Sequence, residues 1–148
     1  MMSQPLLPGT VIFTHDKERL ARFYQGVTGW AVTHVDAHIT VLRSASCELV
    51  LHNIPPEYAP PPDEGRASGA ASGAASGAAS GAAPAPREDA YLKPFFPVDS
   101  IAQARERARA LGGALREAGA EWEGRGFRAC EGVDADGNVI QLREAVHA

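Results

Sequence analysis

The sequence predicts an α+β fold built from two βαβββ modules within one domain, and three observations carry that prediction. Phe13-Thr14-His15-Asp16 opens a helical pattern that closes at Gly29, and 83 residues later Phe96-Pro97-Val98-Asp99 opens a second one that closes at Gly112. In each half a short apolar strand precedes the helical pattern and β-rich sequence follows it, the mark of an internal duplication. Between the halves, residues 55–88 hold almost nothing that could enter a core, leaving 54 residues before them and 60 after. A unit of about 60 residues buries too little surface to be comfortable alone, so each half needs the other.

The elements follow in order. Thr10 to Thr14 reads as a strand, and Asp16 is placed to cap a helix whose Leu20, Phe23, Tyr24 and Val27 fall at i, i+3, i+4 and i+7, an amphipathic stripe. Gly29 ends that helix. Trp30 to Val35, Ile39 to Arg43 and Cys47 to His52 are β-rich and separated by stretches short enough for antiparallel hairpins, which completes a first module over 9–54. In the second module, 89–144, Tyr91 to Phe96 reads as a strand and Asp99 as the counterpart of Asp16. Ile101, Ala104, Ala108 and Leu111 line a helix that Gly112-Gly113 stops. The strand after this helix, near Leu115 or Ala120, is poorly marked. Gly126 to Cys130 and Asn138 to Arg143 then flank the turn-rich Asp134-Ala135-Asp136-Gly137.

Residues 55–88 form a linker: Pro55-Pro56 and Pro60-Pro61-Pro62 lead into a Ser-Gly-Ala-Ala repeat with serines at 68, 72, 76 and 80. A glycine every fourth residue opposes helix by about 1 kcal/mol each, and no apolar face offsets it, so disorder is the expectation. The net charge of −4 and the lack of a Lys/Arg block outside helix faces argue against nucleic acid. Met1 to Pro8 has no positive n-region or apolar h-region, and no run of about 18 apolar residues occurs, so the expectation is a soluble, cytoplasmic protein away from membranes. Cys47 and Cys130 sit in strand-like runs, form no zinc spacing, and read as inert core thiols.

Asp16, Phe23-Tyr24 and Gly29-Trp30 in the first half, with Val98-Asp99, Leu111-Gly112-Gly113 and the run Asp134-Ala135-Asp136-Gly137-Asn138-Val139-Ile140-Gln141-Leu142 in the second, give the chain its resemblance to a known group. It resembles the vicinal oxygen chelate superfamily, which includes glyoxalase I, bleomycin-resistance proteins and extradiol dioxygenases. The resemblance implies modules paired into a curved sheet around one cleft, helices outside, and a homodimer. It also implies a small-molecule ligand, and in metal-dependent members one divalent ion held by side chains of the first and last strand of each module.

Carried onto this chain, those ligand positions fall on Gly9 (or Thr10), Leu49, Lys93 and Gln141. Leu49 follows from matching Leu51-His52-Asn53 to the end of the family's Glu-Leu-Thr-His-Asn run, and regular alternation then turns Glu48 to the opposite face. This set makes no cation site, because a catalytic divalent ion needs at least three converging donors and the Lys93 ammonium repels one. No cofactor is therefore expected, with a divalent metal as the alternative if a bulge near Ser44 to Ser46 shifts the register. Alternation places Tyr91, Lys93 and Phe95 on the cavity face of one strand, with Gln141 and Arg143 on the cavity face of another, a lining suited to a small ligand. Equally, Lys93 could pair with Glu48 or Glu131 and bind nothing. Glu48 and His52 share strand parity and form a candidate acid-base pair if the register slips. Two functions stay open. One is a metal-free binding protein of the bleomycin-resistance type; the other is a lyase or dioxygenase of the glyoxalase type acting on a small carbonyl or oxygenated substrate.

Overall fold

The computed structural model describes residues 6–58 and 83–147. Module one runs β1 (Gly9–Thr14), α1 (Lys17–Thr28), β2 (Ala31–Val35), β3 (Ile39–Arg43) and β4 (Glu48–Asn53). Module two runs β5 (Phe95–Pro97), α2 (Ile101–Ala110), β6 (Ala114–Leu115), β7 (Trp122–Gly124), β8 (Phe127–Val133) and β9 (Val139–Ala145). The sheets are ordered β1-β4-β3-β2 and β5-β9-β8-β6, with β7 also paired to β8. In each, the first strand lies parallel to the last and the other pairings are antiparallel. The duplicated βαβββ plan is therefore present in both halves. The poorly marked strand of module two is an edge in two pieces, β6 and β7, interrupted by a 3-10 turn at Ala118–Ala120.

The helix ends are set by local chemistry. The Asp16 carboxylate accepts from the Arg19 amide at 2.9 Å, and Gly29 closes α1 in the left-handed region at φ 72°. In module two the cap is Ser100, whose hydroxyl accepts from the Gln103 amide at 3.2 Å; the capping role expected of Asp99 belongs to its neighbour. The caps Asp16 and Ser100 stand 84 residues apart, one more than the sequence motifs suggest. The extra residue restores strand parity, because the structural counterpart of the buried Phe96 is Ile12, packed on the core, and not the exposed Phe13.

One core joins the modules. Leu20, Phe23, Tyr24 and Val27 of α1 pack with Leu42, Leu49 and Leu51 of the first sheet and with Phe96, Ile140 and Leu142 of the second. α1 also packs on α2, where Ala104 and Ala108 keep the contact close. Phe96 has ring neighbours in Tyr24 at 5.3 Å and Trp30 at 5.5 Å, so a module-two strand is seated on module-one aromatics. Gly113, between α2 and β6, allows this packing: a Cβ there would lie 2.3 Å from Phe23 Cε2 and 2.5 Å from the Val133 carbonyl oxygen. Gly113→Ala should destabilise the fold by about 1–3 kcal/mol, read from its urea midpoint, because the carbonyl cannot move without disturbing β8.

Strand β5 begins later than the sequence suggests. Tyr91 to Pro94 carry no strand pairing, and the ladder to β9 starts with the Gln141 amide donating to the Pro94 carbonyl at 3.1 Å. The linker's repeats fall outside the described residues. Its ends do not: Pro56–Tyr58 form a 3-10 turn, and the Arg87 amide donates to the Gly137 carbonyl at 2.9 Å. Among the described residues no helix is long and apolar enough to cross a membrane.

Candidate functional site

Each sheet packs one face on the helices and turns the other away. In module one, Leu49 and Leu51 point to α1, so Glu48, Val50 and His52 occupy the open face beside Gly9, Val11 and Phe13 of β1. This reverses the expected orientation at Glu48 and Leu49. The reason is burial: Leu49 is 1% exposed against the helix, whereas the Glu48 carboxylate accepts from Arg43 Nε at 2.9 Å, a pair that needs solvent contact. The β3–β4 ladder on either side of Ser44 to Ser46 is regular, and the register shift of this sheet lies in β2, between Val32 and His34. His52 donates through Nδ1 to the Asn53 carbonyl at 2.7 Å and rests against the Phe13 ring at 5.4 Å. Four residues along one strand separate Glu48 from His52 by about 13 Å, so the structure does not bring that candidate pair together.

The open face of module two is more polar. Lys93, in the approach to β5, pairs with Glu131 of β8, the structural partner that the sequence offered as its alternative. That ammonium holds the Glu131 carboxyl below its ordinary range, with burial opposing and Gln141 and Arg116 assisting. Gln141, 6% exposed, stands opposite Glu131 in the ladder and accepts from Arg143 Nε at 2.7 Å. Arg143 in turn lies over Phe95 at 3.6 Å and Phe127 at 4.3 Å, held between two rings. Gln141 is therefore a buried link between charged neighbours. Tyr91 is fully exposed, and Phe95 has only one face covered by Arg143.

A cavity of about 650 Å³ opens over this face. Its walls include Arg87, Tyr91, Leu92, Lys93, Arg116, Glu131 and Val139, so it takes in Lys93 and Tyr91 of the expected site but not Phe95, Gln141 or Arg143. Arg116 and Arg87 went unrecognised in the sequence. Arg116 follows a two-residue strand without a pattern of its own, and its amide is fixed by the Glu131 carbonyl at 2.8 Å. Arg87 lies in the linker, yet its Nε donates to the Asp136 carbonyl at 3.3 Å.

A family model described as a glyoxalase-like domain matches residues 9–142. The chain belongs to that family. Solved structures agree on the fold of this glyoxalase-like protein. A glyoxalase/bleomycin resistance protein/dioxygenase family enzyme from Burkholderia phytofirmans superposes with a TM-score of 0.60 at 17% identity, covering 93% of this chain and 97% of that one. The fosfomycin resistance protein FosX from Mesorhizobium loti gives 0.57 at 14%, covering 98% and 95%. An integron cassette protein from the mobile metagenome of V. cholerae gives 0.55 at 17%, covering 97% and 98%. No curated protein matches by sequence.

The glyoxalase-like scaffold raises the question of a divalent ion on the open faces. The cap-to-cap offset makes Gly9 the counterpart of Lys93. Gly9 has no side-chain donor, Lys93 is a cation paired to Glu131, Gln141 Oε1 already accepts from Arg143, and the carboxylates beside these positions, Glu48 and Glu131, are held by Arg43 and Lys93. Among the described residues no three His, Cys, Asp or Glu side chains converge as a metal-binding group. These residues do not fit a catalytic cation. Cys130 is buried against Arg105, and burial raises its thiol, which makes it a poor nucleophile.

The glyoxalase-like turn Asp134 to Asn138 has a structural task. Asp134, fully buried, accepts from Tyr24 Oη of α1 at 2.6 Å, from Asn138 Nδ2 at 2.8 Å, and from the amides of Asp136 and Asn138 at 2.9 Å each. Asp136 accepts from Arg19 at 2.7 Å and from the Thr14 hydroxyl. One turn of module two thus grips the strand and helix of module one.

Proposed function

We propose that this glyoxalase-like protein binds a small anionic molecule in the cavity beside Lys93, without a metal, and works as a homodimer. The observation that carries the reading is the cavity itself: about 650 Å³ with Arg87, Lys93 and Arg116 against Glu88 and Glu131, and Leu92, Val133 and Val139 as apolar wall. The cations exceed the carboxylates by one, in a chain whose net charge is −4. A pocket with apolar walls and a few convergent polar groups is the usual composition of a small-ligand site. Support for metal independence is the donor set, in which the positions that would hold an ion are Gly9, Lys93 and Gln141, with the fourth, Leu49, buried in the core. Support for a dimer is the open face of module one, where Val11, Phe13 and neighbouring Val35 are more than half exposed.

The test is a thermal-shift screen of small carboxylates, phenols and thiol conjugates on wild type and Lys93→Met. Methionine keeps most of the volume and removes the charge. Carboxylates should stabilise the wild type, and their affinity should fall by about 1.5–3 kcal/mol in the variant, the range of a charge-assisted hydrogen bond. Hits that stabilise both proteins equally would remove Lys93 from the site.

A further inference from the structure

We infer that Glu131 is a resident anion occupying the ligand's place on Lys93, and that an incoming carboxylate displaces it toward Arg116. The inference rests on the binding reading above and adds the element that sets its threshold. Glu131 stands on β8 opposite Gln141, in the wall of the cavity, with its carboxylate on the Lys93 ammonium. Arg116 lines the same cavity and lies near enough to act electrostatically on Glu131, and among the described residues its guanidinium has no hydrogen-bonded partner. Its backbone cannot drift: the Arg116 amide is bonded to the Glu131 carbonyl, and the Arg116 carbonyl accepts from Arg105 Nε at 2.9 Å.

One carboxylate therefore faces two cations, and it can leave one without losing the other. A neutral ligand gains nothing by evicting Glu131, because it would leave the Lys93 charge unmatched. An anion restores that match while Glu131 keeps Arg116. Weak or poorly placed anions fail to compete, so selectivity for anions arises from a competitor already in the site. Gln141 supports the exchange, since it stands opposite Glu131 in the ladder and its carbonyl is fixed by Arg143.

The test is calorimetric titration of benzoate, succinate and inorganic phosphate, with benzamide as the neutral control. The proteins are wild type, Glu131→Gln, Arg116→Met and the double variant, each checked for wild-type-like thermal unfolding. Glu131→Gln should bind at least one anion about tenfold more tightly than wild type, because the competitor is gone. Benzamide should not change. Arg116→Met should weaken anion binding in the wild-type background and have little effect in the Glu131→Gln background, since Arg116 acts through Glu131. Equal anion affinities in wild type and Glu131→Gln would overturn the displacement while leaving the binding reading intact. An equal Arg116→Met loss in both backgrounds would make Arg116 a direct ligand contact and also overturn it. Failure of all three anions to bind either protein would overturn both.

Discussion

Asp134→Ala is expected to destabilise the protein by about 3–5 kcal/mol, because it strands several buried donors at once. The Tyr24 hydroxyl, the Asn138 amide group and two backbone N–H groups all converge on this carboxylate. Urea unfolding of wild type and variant measures the loss. A companion prediction concerns pH. Burial pushes the Asp134 carboxyl above the ordinary carboxylate range, and the hydrogen bonds from Tyr24 and Asn138 only partly oppose it. A carboxyl whose folded pKa is raised contributes stability that is fully present below its unfolded pKa and is lost as pH rises through the folded value. Asparagine does not titrate, so the stability deficit of Asp134→Asn relative to wild type should be greater near about pH 4 than near about pH 7. A deficit that grows toward neutral pH would mean that Asp134 is better stabilised as a carboxylate in the fold than its burial implies.

Phe96→Ala should cost about 3–5 kcal/mol, the range for truncating a buried aromatic ring. Phe96 is 4% exposed and belongs to module two, yet it packs on Tyr24 and Trp30 of module one. Its loss should therefore weaken both modules together. The chain has two tryptophans, Trp30 in the first module and Trp122 in the second, so Trp30→Phe and Trp122→Phe each leave one reporter. Within each single-tryptophan protein the fluorescence and far-UV circular dichroism transitions should coincide, before and after Phe96→Ala is added. Separate transitions would show that the halves fold as independent units.

Much of this fold was legible because its signals are local. Asp16 and Gly29 bracket α1 by capping chemistry, and the apolar stripe of Leu20, Phe23, Tyr24 and Val27 enters the core as its spacing predicts. Register was harder. The duplicated phenylalanines suggested an offset one residue too short, because Ser100 and not Asp99 caps α2, and a single residue exchanges the faces of a strand. The same sensitivity inverted Glu48 and Leu49, where a motif match outweighed the simpler fact that leucine prefers the helix side. The run Tyr91 to Phe96 reads as a strand that contains Lys93. Pro94 has no amide to donate, and the pairing with β9 begins only at its carbonyl. Arg87 and Arg116 reach the cavity through a linker end and a two-residue strand, neither of which has a periodicity to read.

Titration calorimetry of an anion such as benzoate into chelator-treated protein, with and without one equivalent of zinc, nickel or manganese, tests the central claim most directly. The account predicts saturable binding in the metal-stripped protein, weakened in Lys93→Met and unchanged by any of the three metals. Binding or turnover that appears only after a metal is added would contradict it.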